Sequence, residues 1–392
     1  IYDGKNNNPF VGNVLVDGNK ISRVSTSNLR GDKVIDATGK ILTPGIISTD
    51  TNIGIVEIGA LSVTRDDSSD LYKIGFSIYD AFNPNSVLIP WNRSNGITST
   101  LTLPQNTDSP IGGLGSFFVL DSNIEVSGIK DNVMIGRVGG SGSKSRSETF
   151  AVIEDLLEFA SSLNLKDMES YKDIADLIDD SPIAESMDLH PRDIKALYNL
   201  VNDDLPLIIS ANRASDLLKL IDLKLKYDLN LIIMGAQEAG LVADKIAKNN
   251  IPLIINPINN IPESFDELAA NIELAAYLEK QGITLMFNAP RSHNFHLIRQ
   301  GAGVAVANGM SYAGALRALT SSPVEVFNLG DRGEIVAGKV ADLIIWDADP
   351  LEPSSMPEKV FINGKDIDLT SRMTRLTDRY IKNKDKPSIY RN

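Results

Sequence analysis

The chain has 392 residues, 42% of them hydrophobic and 23% charged, with a formal net charge of −13 and no cysteine. That length holds one large α/β domain plus a small accessory unit and excludes a miniprotein, and the composition excludes a disordered chain. The acidic balance argues against nucleic acid or an anionic membrane as main partner, because phosphates are repelled at long range, while the missing cysteines exclude disulfides, thiolate metal ligands and cysteine nucleophiles.

No run of about eighteen apolar residues is present, so no spanning helix is expected. The sequence begins at Ile1 rather than Met, which reads as a trimmed N-terminus. The expected setting is soluble, cytoplasmic or periplasmic, with the presence of a signal peptide in the precursor left open.

In chain order, the first elements are short strands: Val14-Leu15-Val16, the turn Asp17-Gly18-Asn19, then Ile21 to Val24. Asp-Gly between alternating apolar runs is a hairpin signal. The C-terminal end has the same character, with strand candidates Val340 to Trp346 and Lys359 to Ile362, the latter running into the turn Asn363-Gly364. Neither end buries a core alone. One composite β-unit, residues 1–43 and 331–392, is therefore expected around an inserted domain of residues 44–330.

That middle alternates short β-branched runs with amphipathic stretches, the rhythm of a parallel βα sheet. Eight strand candidates follow: Gly45 to Asp50, Ile97 to Leu103, Ser116 to Asp121, Asn132 to Arg137, Leu207 to Ala211, Leu229 to Met234, Pro252 to Ile255 and Ile283 to Asn288. Helices are predicted over Ser147 to Leu163, Tyr171 to Ile178, Pro191 to Val201, Ala214 to Tyr227, Gly240 to Lys248, Glu267 to Lys280 and Ser311 to Thr320. Asn52 to Trp91 reads as an elaborated loop after the first strand. Gly139 to Ser145 is a flexible connection without phosphate-loop spacing, and the tail from Lys382 to Asn392 reads as a frayed end.

Two motifs carry a family resemblance. Asp36-Ala37-Thr38-Gly39-Lys40-Ile41-Leu42-Thr43-Pro44-Gly45-Ile46-Ile47 resembles the entry into barrel strand one of the amidohydrolase superfamily, imidazolonepropionase-like branch. Ala315-Leu316-Arg317-Ala318-Leu319-Thr320, with Pro323, Gly333-Glu334-Ile335, Gly338-Lys339-Val340-Ala341-Asp342-Leu343 and Asp349-Pro350-Leu351, is similar to the return from the last barrel helix to the β-unit. The resemblance implies a (β/α)8 TIM-type barrel with a small β-sandwich built from both termini. It also implies hydrolysis of non-peptide C–N bonds by one or two divalent metals at the barrel mouth, and a homodimer.

The ligands that the resemblance calls for are replaced. Its His-x-His pair falls on Asp50 and Asn52, its strand-five histidine on Ser210 or Asn212, and its strand-six position on Gln237-Glu238. Its final aspartate falls in a stretch, Gln281 to Val324, that contains no Asp or Glu. The three histidines are His190, His293 and His296. No metal is expected at the usual positions, the alternative being a single zinc held by Asp50 and Glu238.

The mouth is still polar. Asp50, Glu238, Arg291 and His293 are the candidate catalytic residues; Asn52, Glu57, Ser210, Asn212, Arg213, Gln237 and Asn288 are the candidate substrate contacts. Each has a plainer reading beside it. Arg213 could pair with Asp216, Glu238 could favour a helix dipole, His293 could be a loop histidine, and His190 before Pro191 could open a helix. The adjacent pairs Asp66-Asp67, Asp179-Asp180 and Asp203-Asp204 read as solvated. No Gly-x-Ser-x-Gly elbow follows a barrel strand. Two functions remain: a hydrolase with an altered or metal-free site, or a non-catalytic homologue binding a small ligand or a protein partner.

Overall fold

The computed structural model describes residues 1–105, 107–140, 145–164, 170–291 and 293–381. The flexible connection from Gly139 therefore lies partly outside the described residues, and the tail from Lys382 wholly so.

An antiparallel hairpin of β1 (Asn13–Asp17) and β2 (Lys20–Ser25) opens the chain, turning at Gly18 with φ +58°. Next come β3 (Ile41–Pro44) and, after one residue, β4 (Ile46–Thr51). The barrel sheet continues with β5 (Ile97–Thr102), β6 (Ile111–Val119), β7 (Gly128–Arg137), β8 (Leu207–Ala211), β9 (Leu231–Gly235), β10 (Leu253–Ile255) and β11 (Leu285–Phe287). β12 (Leu343–Trp346), β13 (Pro357–Ile362) and β14 (Lys365–Asp366) return to the start, and β12 pairs antiparallel with β3.

β4 to β11 form one eight-stranded sheet in sequence order, and each overlaps one of the eight strand candidates. One feature of the sheet departs from the uniform βα rhythm: β6 runs antiparallel to both β5 and β7, while the other seven strands are parallel. The cause is connection length. A parallel crossover needs a dozen or more residues, and residues 103–110 and 120–127 are too few, so the chain turns back each time.

The helix expected from Glu267 forms only over Leu274–Lys280. Residues 256–273 instead make a long irregular loop after β10.

At the seam between β4 and β11 no backbone ladder is present among the described residues. Side chains join the two strands there. The buried Thr49 hydroxyl donates to the Phe287 carbonyl at 2.9 Å, and Asp50 binds residues just beyond β11.

The four-stranded sheet of β3, β12, β13 and β14 is covered on both sides. Ile344, Trp346, Val360 and Ile362 belong to the main core with the barrel, and Leu343 with Ile21, Ile335 and Ala341 forms a smaller core under the hairpin. Gly45, between β3 and β4, has a close-packing reason: a Cβ there would lie 2.2 Å from the Thr98 hydroxyl. Arg299 ties barrel to sheet, donating to the carbonyls of Pro350, Glu352 and Ser355 and lying over the Trp346 ring. No helix among the described residues is long and apolar enough to cross a membrane.

The loop after β4 is fixed to the barrel by one carboxylate. Asp193, fully buried near the start of the helix Pro191–Asn202, accepts backbone N–H bonds from Ile74 at 2.8 Å, Gly75 at 2.7 Å and His190 at 2.9 Å. Asp193→Ala strands three donors and is expected to cost about 2–4 kcal/mol in urea unfolding. Amide exchange should quicken at Ile74 and Gly75 more than in β9, and an unchanged midpoint would contradict this anchoring role.

Candidate functional site

The C-terminal ends of the parallel strands form the barrel face where sites of this architecture lie. At the seam, Asp50 stands near the end of β4 with its side chain 8% exposed. Asn288 Nδ2 donates to Asp50 Oδ2 at 3.1 Å and Arg291 Nε to Asp50 Oδ1 at 2.7 Å. Arg291 Nη1 also donates to the Pro104 carbonyl at 3.1 Å, reaching the loop after β5. Three of the candidate residues are thus one cluster, made by the first and last barrel strands.

Other candidates are engaged elsewhere. Glu238 Oε2 accepts from Ala214 N at 2.9 Å, so it caps the helix Ala214–Tyr227 from the next strand. That is a helix-dipole role, exerted on the preceding helix. Glu57 accepts from Val87 N at 3.1 Å and Asn83 Nδ2 at 3.4 Å, which holds the loop after β4 rather than presenting a carboxylate. Asn52 starts that loop, its carbonyl accepting from Ile55 and Val56. Ser210 lies within β8, half-buried.

Asn212 and Arg213 organise the rim. Asn212 Nδ2 donates to Glu267 Oε1 at 2.7 Å, and its carbonyl oxygen faces Gln237 N at 3.4 Å. A side chain at Gly235 would strike this amide, its Cβ falling 2.4 Å from Asn212 Oδ1. Arg213 pairs with Asp266 at 2.9 Å, not with Asp216, which takes Arg146 at 2.8 Å. Arg146 Nη2 also lies 2.6 Å from Asp266, a charge contact poorly aligned as a hydrogen bond. Burial pushes the Asp266 carboxyl up, but the close Arg146 guanidinium, the Gly140 N–H bond and the charge of Arg213 outweigh it and hold it below the usual range. Asp266 and Glu267 were hidden from sequence reasoning because their segment reads as helix.

The histidines divide as follows. His190 caps the helix Pro191–Asn202, accepting from Arg192 N. His293 is exposed, its carbonyl accepting from Asn92. His296 is buried against the edge of Trp91, with Nδ1 lacking a hydrogen-bond partner among the described residues. Of the acidic pairs, Asp67 is a correction: it is buried and paired with Arg65, not solvated. Asp179, Asp180, Asp203 and Asp204 are exposed.

These residues do not fit the metal centre that the fold implies. Among those described, no three His, Cys, Asp or Glu side chains form a group able to hold a metal. Both oxygens of Asp50 are bonded, one to a guanidinium whose charge opposes a cation there. Asn52, Asn212, Gln237 and Asn288 are amides, poor substitutes for imidazole at zinc. What the face offers is a carboxylate beside a guanidinium, plus two buried amide oxygens, Gln237 Oε1 and Asn288 Oδ1, without partners among the described residues.

Comparison with known proteins points the same way as the terminal motifs. The model of the amidohydrolase family matches residues 217–367. A protein from Hapsidospora irregularis named Amidohydrolase tasK is 22% identical over 391 residues; the match covers 91% of this chain but 40% of that relative's length. An amidohydrolase from Thermotoga maritima MSB8 superposes with a TM-score of 0.75 at 23% identity, over 91% of this chain and 94% of that one. A prolidase complexed with N-methylphosphonate-L-proline superposes with a TM-score of 0.54 at 16% identity, covering 91% and 94%. At these identities the solved structures establish the fold.

His296 makes the stability of the fold depend on pH. Burial, and next the charge of Arg299, lower its pKa to about 4, against an ordinary 6.5. The folded state therefore favours the neutral ring. Stability is complete above about pH 6.5 and falls as pH drops towards 4, by up to about 3 kcal/mol. Denaturant melts of the native chain and of His296→Leu at pH 7 and pH 4.5 check this: the variant should lose much of the difference between the two pH values.

Proposed function

We propose that this chain, a member of the amidohydrolase superfamily, hydrolyses C–N bonds of a small molecule with a metal-independent site centred on Asp50. The observation that carries the reading is the Arg291 guanidinium paired with Asp50 at 2.7 Å, a positive charge of the chain's own where the fold's relatives would place a cation.

In this reaction Asp50 takes a proton from water as the water oxygen bonds to the substrate carbonyl carbon. The guanidinium of Arg291 stabilises the negative charge that builds on the carbonyl oxygen. Asn288 holds the second Asp50 oxygen and so fixes the plane of the base. When the C–N bond breaks, the proton passes from Asp50 to the leaving nitrogen, giving an acid and an amine. Glu238 and Arg213 take no part, being committed to a helix end and to Asp266.

A second reading, a non-catalytic homologue that binds a small ligand at the same face, is favoured by the saturation of Asp50, since each of its oxygens already accepts a bond. The two are separated by screening N-acyl amino acids and cyclic amides with purified protein, in chelator and with added zinc. The expected result is turnover indifferent to chelator and reduced about 100-fold or more by Asp50→Asn and by Arg291→Gln, with circular dichroism verifying that both variants fold. Turnover that requires zinc would overturn the metal-independent site. No turnover under any condition, with a ligand that raises the melting temperature, would favour the binding reading.

A further inference from the structure

Asn92 ties the helix that follows the first barrel strand to the segment that follows the last. It stands in the helix Leu88–Arg93, between β4 and β5, and is fully buried. Its Nδ2 donates to the Leu88 carbonyl at 3.0 Å, one turn back in its own helix, and to the His293 carbonyl at 3.2 Å. Its Oδ1 accepts from the His296 N–H at 3.1 Å. One amide thus donates twice and accepts once, a set that neither a carboxylate nor a hydroxyl can supply. Next to it, Trp91 Nε1 donates to Asn294 Oδ1 at 3.0 Å. Residues 293–296 are in this way held against the helix before they turn into the helix Ile298–Ala307.

These bonds fix one end of a short span that carries Arg291. At the other end, the Asn288 N–H donates to the Ile255 carbonyl at 3.1 Å. Among the described residues, Ala289 to Arg291 make no backbone–backbone hydrogen bond of their own. The backbone behind the guanidinium is therefore hydrogen-bonded only at the two ends, by the neighbouring strand and by Asn92. From that backbone Arg291 must place Nε 2.7 Å from Asp50 and Nη1 3.1 Å from the Pro104 carbonyl. Hydrogen bonds weaken steeply with misalignment, so freeing one end of the span loosens both contacts.

We propose that Asn92 is a positioning residue for Arg291: it fixes the backbone from which the guanidinium reaches Asp50, and touches no substrate itself. Its effect on turnover rests on the hydrolytic reading; its hold on Arg291 does not.

Hydrogen exchange at the Arg291 Nε–H, followed by NMR on the full chain and assigned by its absence in Arg291→Gln, tests that hold directly. In Asn92→Ser this proton should exchange about tenfold faster or more, because the bond to Asp50 opens more often. The Arg146 Nε–H, bonded to Asp216 at 2.8 Å, should keep its rate, whereas a general loosening of the fold would speed both. Trp91→Phe removes only the bond to Asn294 and serves if Asn92→Ser does not fold; it should speed Arg291 about threefold. With an N-acyl amino acid that the native chain hydrolyses, Asn92→Ser should lower kcat about tenfold with KM unchanged. An unchanged Arg291 rate, equal acceleration at Arg146, or an unchanged kcat in folded variant protein would overturn the proposal. A native chain without turnover would overturn the hydrolytic reading instead, and the exchange rates would still decide this one.

Discussion

The carboxylate of Asp50 sits where the barrel must be closed. β4 and β11 meet there without a backbone ladder among the described residues, and the join rests on the Thr49 hydroxyl, Asn288 and Arg291. The ion pair of Asp50 with Arg291 is part-buried, so it gains less than its Coulomb energy suggests, but removing the guanidinium leaves the buried Asp50 carboxylate stranded. Under the proposed reading, closure and chemistry are therefore coupled in this molecule. The residues to which the proposed reaction is assigned also hold the first strand to the last.

The rest of the mouth follows from how the other charges are used. Glu238, Glu57, Asp266 and Glu267 each bind a backbone amide, an arginine or an amide side chain. The bonds of Asp266, Glu267 and Glu238 tie the loops after β7, β8, β9 and β10 into a connected rim, while Glu57 holds the loop after β4 to itself. These carboxylates are part of the framework, and the amides of Asn212 and Gln237 are groups that can both donate and accept within it.

Much of the architecture was legible because its causes are local. Runs such as Leu231-Ile232-Ile233-Met234 declare buried strands, and Asp17-Gly18 and Asn363-Gly364 declare hairpin turns. The reversal of β6 was not declared by pattern, since a strand reads alike in either direction; the short connections on both sides of it were the available signal. At the site, Asp50, Asn288 and Arg291 could be placed at one face from their positions after the first and last strands. The roles of Glu238 and Arg213 could not, because Ala214 N competes for a carboxylate from another strand end and Asp266 lies in a segment with helical periodicity. Residue type told what each group could do, and tertiary partners decided what it does.

The reversed strand also explains what covers that side of the barrel. Two connections too short for crossover helices leave β6 without the helical layer that the parallel strands receive. The loop after β4 supplies the cover instead. Its segment from Ile74 to Ile78 pairs with the start of β6, through Gly113 N to the Ile74 carbonyl at 3.0 Å and Leu114 N to the Phe76 carbonyl at 2.7 Å. Farther along β6, Phe82 stacks on Phe118 at 3.8 Å between ring centroids. The same loop is anchored by Asp193 on the helix Pro191–Asn202, and its Lys73 donates to the Met187 carbonyl. The cover of β6 is thus a consequence of strand direction: where a barrel of uniform direction would pack a crossover helix, this one lays down a loop pinned by Asp193.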